Sequence, residues 1–294
     1  MSEAPYDLRG KVALVTGGSR GVGAAIAVAL AEAGASVAVA ARSTEAQPQR
    51  TPGTLEATVA AIEAAGSEGL AVPTNLARPH EVTAMVETTA DHFGGLDVVV
   101  NNAAITFIGD LDIPLARHEL VMAVNTTAPL VAAQAAVPHL RARGGGRILN
   151  VSSVAAFLPV QGLMSYGISK VALERLTVDL ARQLQPDGIA VSCFRIDLPV
   201  ASEGFVANTP GVDRSSWEPC EVAAEGVLWM LQQPDGRAGR RDSMLALRQT
   251  EGIMASRAEV PPSGAAASVR PMTQLPDELM VMGESGFAEP YADD

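Results

Sequence analysis

The feature that most constrains the fold of this chain is a regular alternation of short apolar runs with longer alanine-rich runs. The short runs, such as "KVALVT" (11–16) and "SVAVAA" (36–41), are apolar almost throughout, as strands are when a parallel sheet is covered on both faces. The alanine-rich runs between them have the length of helices, and the first closes at Gly34. This order predicts an α/β fold, a single doubly wound domain of about seven parallel strands with helices on both faces.

The predicted element boundaries follow from these runs. Strands are expected over residues 11–16, 36–41, 69–74, 96–103, 146–153, 188–195 and 243–248. Helices are expected over 23–34, 53–66, 79–94, a long region of about 113–141, 164–184 and 218–233. The segment 42–53, "RSTEAQPQRTPG", is an unusually long loop for the connection after a second strand.

Charge and hydropathy exclude several classes of function. The net charge is −12 and no run of basic residues interrupts it, so a nucleic-acid partner is not expected. The start, "MSEAPYDLRG", lacks a charged segment followed by an apolar run, so no signal peptide is expected. No stretch of about 18 uncharged apolar residues predicts a membrane span. We therefore expect a cytoplasmic protein without a membrane partner.

The histidines and cysteines indicate no metal site. The four histidines are scattered without the spacing of metal ligands. The two cysteines can in principle pair, but two in a chain of this length are more typical of reduced thiols in cytosol. The residues concerned are His80, His92, His118, His139, Cys193 and Cys220.

A glycine-rich loop, "TGGSRGVG" (16–23), lies between the first predicted strand and the first predicted helix. Its glycines let the backbone turn tightly and approach a ligand closely. The following helix directs free N–H groups and the positive end of its dipole at the turn, a geometry that holds a pyrophosphate. The loop either binds a dinucleotide or is a glycine-rich turn without a ligand. Its candidate cofactor-binding residues are Gly17, Ser19, Arg20, Gly21, Val22 and Gly23.

The end of the second predicted strand indicates which dinucleotide would bind. An acidic residue there would hydrogen-bond the adenosine ribose of NAD, but the sequence has Ala41 and Arg42. Arg42 together with Arg20 can hold a 2′-phosphate through charge-assisted hydrogen bonds. We therefore expect NADP(H) rather than NAD(H); the alternative is that Arg42 is a solvated loop residue.

The segment "MSYGISK" (164–170) brings two rare residues together. The chain has three tyrosines and only two lysines, and here Tyr166 and Lys170 stand four residues apart on one face of a predicted helix. A cation within about 4–6 Å favours the phenolate and lowers the tyrosine pKa from its usual value near 10. The pair is therefore either a tunable proton donor and acceptor or an ordinary pair on a helix surface.

Polar residues elsewhere favour the proton-transfer interpretation. "NVSS" (150–153) ends a predicted strand 13 positions before the tyrosine, so Ser153 can hydrogen-bond a substrate oxygen beside the phenol. "NNAA" (101–104) ends the fourth predicted strand, and Asn125 lies within the long helical region. The loop TGGSRGVG, NNAA, Asn125, Ser153 and YGISK, in this order and near this spacing, resemble the short-chain dehydrogenase/reductase family over roughly residues 8–248.

The resemblance implies a Rossmann sheet, a nicotinamide cofactor and a tetrad of four side chains. It makes Tyr166 the general acid–base and lets Ser153 polarise a carbonyl. Lys170 would lower the tyrosine pKa and hold the nicotinamide ribose, and Asn125 would anchor a water that relays protons to solvent. It also implies cofactor contacts from Asn102 and Ala103 in NNAA, from Asn75 and Leu76 after the third strand, and from Tyr166 and Lys170.

The chain departs from the family pattern in several places. Ala104 stands where NNAG has its last glycine, and Asn75 replaces the usual adenine-reading Asp. The Pro-Gly after the sixth strand is missing from "RIDLPVASEGF", where Asp197 either holds a substrate hydroxyl or caps the next turn. The long loop 42–53 is similar to an atypical branch that includes hydroxysteroid-dehydrogenase-like proteins. If the chain is aligned with that branch, Val200 and Ser202 would contact the nicotinamide carboxamide and a phosphate of the cofactor.

The resemblance also predicts how the chain is organised. Residues 1–248 would form the Rossmann-fold dinucleotide-binding and catalytic domain, with a substrate lid over about 198–220. The extension 249–294 is rich in Pro, Gly, Ser, Glu and Met without a clear period, and is expected to be flexible or to form an interface.

The function that these observations favour is NADP(H)-dependent interconversion of a ketone and a secondary alcohol, a ketoreductase-type reaction. Apolar lid residues favour a hydrophobic substrate held by Ser153, Phe205 and Trp217, although the two aromatic residues would equally suit a core or an interface. Two alternatives remain, a non-redox cofactor sensor or scaffold on the same fold, and an epimerase or dehydratase that uses the cofactor transiently. The family resemblance implies a homodimer or homotetramer.

Overall fold

The computed structural model describes residues 4–209, 211–234 and 236–260. Within them the predicted α/β architecture is confirmed, because seven parallel strands form one sheet in the order β3-β2-β1-β4-β5-β6-β7. The strands are β1 Val12–Thr16, β2 Ser36–Ala41, β3 Gly69–Pro73, β4 Val98–Asn101, β5 Gly146–Ser153, β6 Ile189–Ile196 and β7 Arg241–Ser243.

Helices connect successive strands and cover both faces of the sheet. The α-helices are α1 Gly21–Glu32, α2 Leu55–Ala64, α3 Pro79–Phe93, α4 Leu115–Met122, α5 Ala128–Ala142, α6 Met164–Leu184, α7 Glu203–Asn208, α8 Cys220–Gln232 and α9 Met244–Glu251. One apolar core joins the sheet to α1, α2, α8 and α9, and a second joins the opposite face to α3, α5 and α6. Burial on both faces explains why the strands are apolar throughout.

The strand order creates a crevice at one edge of the sheet. The chain passes from β1 through β2 to β3 in one direction, then returns to β4 on the other side of β1. Connections from neighbouring strands therefore diverge at the carboxyl ends of β1 and β4, where ligands bind in open α/β sheets. The glycine-rich loop, the NNAA segment and Ser153 all lie at the carboxyl ends of strands at this edge.

The long helical region over 113–141 is not one uniform α-helix. A π-helical turn, Ala123–Thr127, separates α4 from α5. The whole run, Leu115–Ala142, is long and apolar enough to cross a membrane by length and composition, which the sequence analysis did not anticipate. Half of its most apolar window is nevertheless buried inside the fold, as in a helix that packs against a core.

The seventh strand is shorter and earlier than expected. Residues 243–248 were predicted as a strand, but only 241–243 pair with β6, and α9 begins at Met244. The prediction was wrong because the Ser243 hydroxyl accepts a hydrogen bond from the Ala246 N–H and so caps a helix. Met244 and Leu247, three residues apart, are both buried, which is a helical period.

Part of the predicted extension packs against the domain. Met254 is buried and its N–H donates to Glu225, while the Arg257 N–H donates to the buried carboxylate of Glu218. The Val260 N–H donates to the carbonyl of Ser215, within the predicted lid. The remainder of the extension, 261–294, lies outside the described residues, so the division of the chain at 248 stays a prediction.

A buried carboxylate ties the sheet together at the edge opposite the crevice. Asp97 is 1% exposed and accepts hydrogen bonds from the Lys11 ammonium at 3.1 Å and from the Val12 N–H at 3.0 Å. The Arg143 guanidinium binds both carboxylate oxygens, at 3.2 and 3.1 Å. Asp97 therefore links β1 and the start of β4 to the loop that follows α5.

We expect Asp97→Asn to lower the free energy of unfolding by about 1–3 kcal/mol, because one buried charged acceptor is lost while its partners remain. Urea denaturation measures this loss. Asp7→Asn is the control, since Asp7 pairs with Arg9 where both side chains are largely exposed, and exposed pairs contribute little. Equal losses in the two variants would contradict the prediction.

Candidate active site

The glycine-rich loop forms the floor of the crevice. Gly17 and Gly21 have φ angles of +69° and +57°, which favour glycine. A Cβ at Gly23 would collide with the carbonyl oxygen of Gly17, so α1 packs directly against the loop. The first turn of α1 has no side-chain cap and no acidic residue. Its free N–H groups and its positive dipole end are therefore suited to an anion such as a pyrophosphate.

The end of β4 is fastened to this loop by Thr16, a residue that the sequence analysis did not single out. The Thr16 hydroxyl accepts hydrogen bonds from the N–H groups of Asn102 and Ala103, both at 3.1 Å. The Asn102 side chain donates to the Thr16 carbonyl at 2.9 Å. The two predicted cofactor residues of NNAA are thus held directly beside Gly17.

The two arginines predicted to select the cofactor lie close together. The Arg20 guanidinium donates to the Gly53 carbonyl at 3.0 Å, and among the described residues its buried Nε has no hydrogen-bond partner. Burial lowers the pKa of Arg20, and the charge of exposed Arg42 lowers it further, while Glu203 opposes both. The long loop 42–53 therefore folds back onto Arg20, and the charges of Arg20 and Arg42 are near enough to interact, an arrangement that fits a phosphate.

The predicted adenine-reading residues follow β3. The Asn75 side-chain oxygen accepts a hydrogen bond from the Ala77 N–H at 3.1 Å, and the Asn75 N–H donates to Glu81 at 2.7 Å. Asn75 thus shapes its own turn and keeps a second acceptor lone pair. Leu76 reaches the crevice, where a narrow cleft is lined by Thr16, Leu76, Asn101, Ala103, Val124, Ala128, Pro129 and Ala132.

Ser153 and Tyr166 come together across the crevice. Ser153 is the last residue of β5, and Tyr166 lies in the first turn of α6. Their side chains are near enough to interact, and burial raises the pKa of the Tyr166 phenol more than the interaction with Ser153 lowers it. A serine hydroxyl and a protonated phenol therefore lie side by side, as two donors to one oxygen require.

Lys170 lies one turn after Tyr166, but its contacts differ from expectation. Its side chain is fully buried, its ammonium donates to the Val151 carbonyl at 2.7 Å, and it lies 5.6 Å from the centroid of the Tyr166 ring. Burial lowers the Lys170 pKa to about 8, against the attraction of the Glu174 carboxylate. Burial holds the pKa of the Tyr166 phenol above its usual value, so the expected lowering by Lys170 stays a prediction.

Asn125 occupies the π-helical turn between α4 and α5. Its side-chain amide donates to the Ile105 carbonyl at 2.9 Å and to the Ser169 hydroxyl at 3.0 Å, and its oxygen accepts from the Ile105 N–H. The Ser169 hydroxyl in turn donates to the Tyr166 carbonyl at 2.7 Å. Asn125 therefore joins the loop after β4 to the helix that carries Tyr166; its predicted contact with a water stays a prediction.

The predicted lid leaves the sheet after β6 and returns over the glycine-rich loop. Val200 is buried, and Ser202 lies against Gly21, where an added Cβ would be 3.1 Å from the Ser202 Cβ. The rings of Phe205 and Trp217 are stacked with centroids 4.7 Å apart. Phe205 is 44% exposed whereas Trp217 is 8% exposed, so of the two aromatic residues among the predicted substrate contacts only Phe205 presents much free surface.

Comparison with known proteins is consistent with this geometry. The model of the family described as short chain dehydrogenase matches residues 11–197, which include the glycine-rich loop and all four tetrad positions. The chain belongs to the short-chain dehydrogenase family. Solved dehydrogenases are structurally similar to this fold, and the sequence-based assignment to this family is confirmed.

Three individual proteins illustrate the similarity. The chain is 30% identical over 251 residues to hydroxysteroid dehydrogenase-like protein 2 of Xenopus tropicalis, covering 84% of this chain but only 59% of that relative. A putative dehydrogenase from Xanthomonas campestris is 33% identical, with a TM-score of 0.77 over 87% of this chain and 96% of its own. A short chain dehydrogenase from Burkholderia cenocepacia, solved in complex with NADP, is 36% identical, with a TM-score of 0.71 over 81% of this chain and 97% of its own.

Asp197, in the segment that follows β6, contacts the start of α9. Its carboxylate accepts a hydrogen bond from the Leu245 N–H at 3.0 Å, and burial raises its pKa. The capping alternative is thus the one that fits its contacts, although the capped helix is α9 and not the next turn of the lid. Charged Asp at a helix N-terminus is favourable because of the helix dipole.

We expect Asp197→Asn to lower the free energy of unfolding by about 1 kcal/mol or less, because the amide oxygen can still accept from Leu245. Oxidoreductase turnover per folded molecule should not change. Ser243→Ala, which removes the other cap of α9, is the matched control. Thermal unfolding and steady-state kinetics of both variants test this, and a large loss of turnover confined to Asp197→Asn would instead indicate a catalytic role.

Proposed function

We propose that this protein is an NADP(H)-dependent oxidoreductase that interconverts a ketone and a secondary alcohol, the ketoreductase-type reaction. The observation that carries the proposal is the convergence of Ser153, Tyr166 and Lys170 at the same sheet edge as the glycine-rich loop. A proton donor and a loop suited to a dinucleotide therefore lie in the same crevice. The NADP complex of the Burkholderia relative supports the cofactor assignment.

The cofactor would be held by residues from five connections at the crevice, those that follow β1, β2, β3, β4 and β6. The first turn of α1 suits the pyrophosphate, and Arg20 with Arg42 suits a 2′-phosphate. Asn75, Leu76, Asn102, Ala103, Val200 and Ser202 would complete the site. When bound, the nicotinamide supplies or accepts the hydride.

Side chains of the protein would transfer the proton and hydrogen-bond the substrate oxygen. Tyr166 would give its phenolic proton to the carbonyl oxygen during reduction and take it back during oxidation. The raised pKa of the buried phenol keeps that proton in place at neutral pH. Ser153 would donate a second hydrogen bond to the same oxygen, and Asn125, through Ser169, would hold the tyrosine-bearing turn of α6.

The lid favours a hydrophobic substrate. The exposed Phe205 ring, stacked on Trp217, presents an apolar surface at the end of the crevice. A ring-bearing ketone such as a polyketide, terpenoid or steroid-like compound would suit it.

Large exposed side chains on and next to α4 and on α6, namely Leu111, Leu115, Ile168 and Val171, favour assembly into a homodimer or homotetramer. We place the protein in the cytoplasm.

Cofactor preference tests the arginine pair. Arg42→Asp should weaken NADPH binding about ten- to a hundred-fold, because each charge-assisted contact to the phosphate contributes about 1.5–3 kcal/mol. NADH binding should not weaken. Arg141→Asp makes the same charge change at the end of α5, at the opposite edge of the sheet, and should leave both affinities unchanged. Fluorescence titration measures these affinities; a native protein that binds NADH at least as tightly as NADPH would refute the assignment.

Removal of a single hydroxyl tests the proton donor. Tyr166→Phe should lower turnover of a reducible ketone by about 10²–10⁴-fold, the usual contribution of a positioned acid or base. NADPH affinity should persist, because the glycine-rich loop is untouched. Tyr6→Phe is the control, since Tyr6 packs near Arg147 and Lys11 far from the crevice. Ketone reduction followed at 340 nm gives both rates, and near-native turnover by folded, NADPH-bound Tyr166→Phe would exclude the mechanism.

A further inference from the structure

A buried ion pair lies beneath the candidate active site and has no part in the proposed reaction. The Arg195 guanidinium of β6 binds both carboxylate oxygens of Glu174 on α6, at 2.9 and 2.7 Å. The two side chains are only 3% and 5% exposed. Because desolvation offsets most of the attraction in such a pair, apolar residues would serve stability about as well. Stability alone therefore does not explain why this ion pair is buried beneath the candidate active site.

The pair holds the end of β5, where Ser153 lies. The Ser152 hydroxyl donates to Glu174 at 2.7 Å, and Ser152 is the register partner of Arg195 between β5 and β6. The Arg195 guanidinium also lies 3.6 Å from the centroid of the Phe157 ring, which follows the short helical turn after Ser153. One ion pair thus fixes the residue before Ser153 and the ring that follows it.

The same carboxylate lies on the catalytic face of α6. Glu174 is one turn after Lys170 and two turns after Tyr166. Its negative charge attracts the Lys170 ammonium and opposes the effect of burial on the lysine pKa. The other titratable or charged groups around this lysine are Tyr166 on α6 and Cys193 and Arg195 on β6, with Arg241 of β7 acting on Cys193.

We propose that Glu174 and Arg195 are positioning residues, which hold Ser153 and Phe157 in register with Tyr166 and balance the charge around Lys170. The inference rests on the proposed function for its effect on turnover. Its effect on Lys170 does not depend on any substrate, so the two can fail separately.

The lysine content of the chain permits a direct measurement. Lys11 and Lys170 are the only lysines, so protein labelled with [ε-¹³C]lysine gives two side-chain signals, and Lys11 at the opposite edge of the sheet is an internal reference. Glu174→Gln removes a negative charge and leaves Arg195 uncompensated, so Lys170 should titrate at lower pH than in the native protein. Arg195→Met leaves the carboxylate uncompensated, so Lys170 should titrate at higher pH.

Opposite shifts are expected only if the pair sets the charge around Lys170. Shifts of the same direction in both variants, or none in either, would overturn the inference. If one variant does not fold, the sign of the shift in the other decides, because each sign is specified in advance.

Turnover provides the second test. Both variants should lose about ten- to a hundred-fold in kcat for the best ketone of a panel, because small displacements of reacting groups are costly. Their NADPH affinity, by fluorescence titration, should stay native. Asp97→Asn is the matched control, a buried carboxylate paired with cations at the far edge of the sheet, and should lose stability but not kcat.

The two tests separate the inference from the proposed function. Opposite lysine shifts in a protein that reduces no ketone would support the positioning pair and refute the ketoreductase assignment. A protein that reduces ketones while both variants keep native kcat and native Lys170 titration would retain its function and refute the positioning pair.

Discussion

The candidate active site depends on the packing of α6 across β5. Along this contact the buried face of α6 is polar as well as apolar: Lys170 donates to the Val151 carbonyl, Ser152 donates to Glu174, and the Asn150 amide donates to Thr177. Each hydrogen bond specifies a single register of helix against strand, which apolar packing alone would leave free to slip. Tyr166 and Ser153 meet because that register is fixed.

The cofactor side of the crevice depends on a different constraint, the close approach of backbones. Gly23 packs against the Gly17 carbonyl, and Thr16 binds the N–H groups of two residues that follow β4. These contacts keep the first turn of α1 open to an anion without any side-chain cap. Preorganised donors of this kind bind a phosphate without a further cost of ordering the loop.

Much of this arrangement could be predicted from local sequence patterns. The strand and helix order followed from hydrophobic periodicity, and the pairing of Tyr166 with Lys170 followed from their spacing on one helix. The helix at 244–251 was missed because its cap, Ser243, closes a very short strand whose apolar continuation has no strong period. The role of Thr16 was missed because its partners lie more than eighty residues away in the chain.

The electrostatics of the site was the least predictable part. Spacing placed a cation beside Tyr166, but the pKa of a phenol also depends on how far it is removed from water, and burial raises the pKa of Tyr166. Likewise, nothing local indicates that Glu174 and Arg195, twenty-one residues apart, form a bidentate pair beneath Ser153. The sequence by itself determined the α/β order, the glycine-rich loop and the identity of the polar residues at the strand ends, because these depend on short-range geometry. Only the tertiary structure decided which of those residues touch and how they are charged, because contact and desolvation depend on segments brought together from the whole chain.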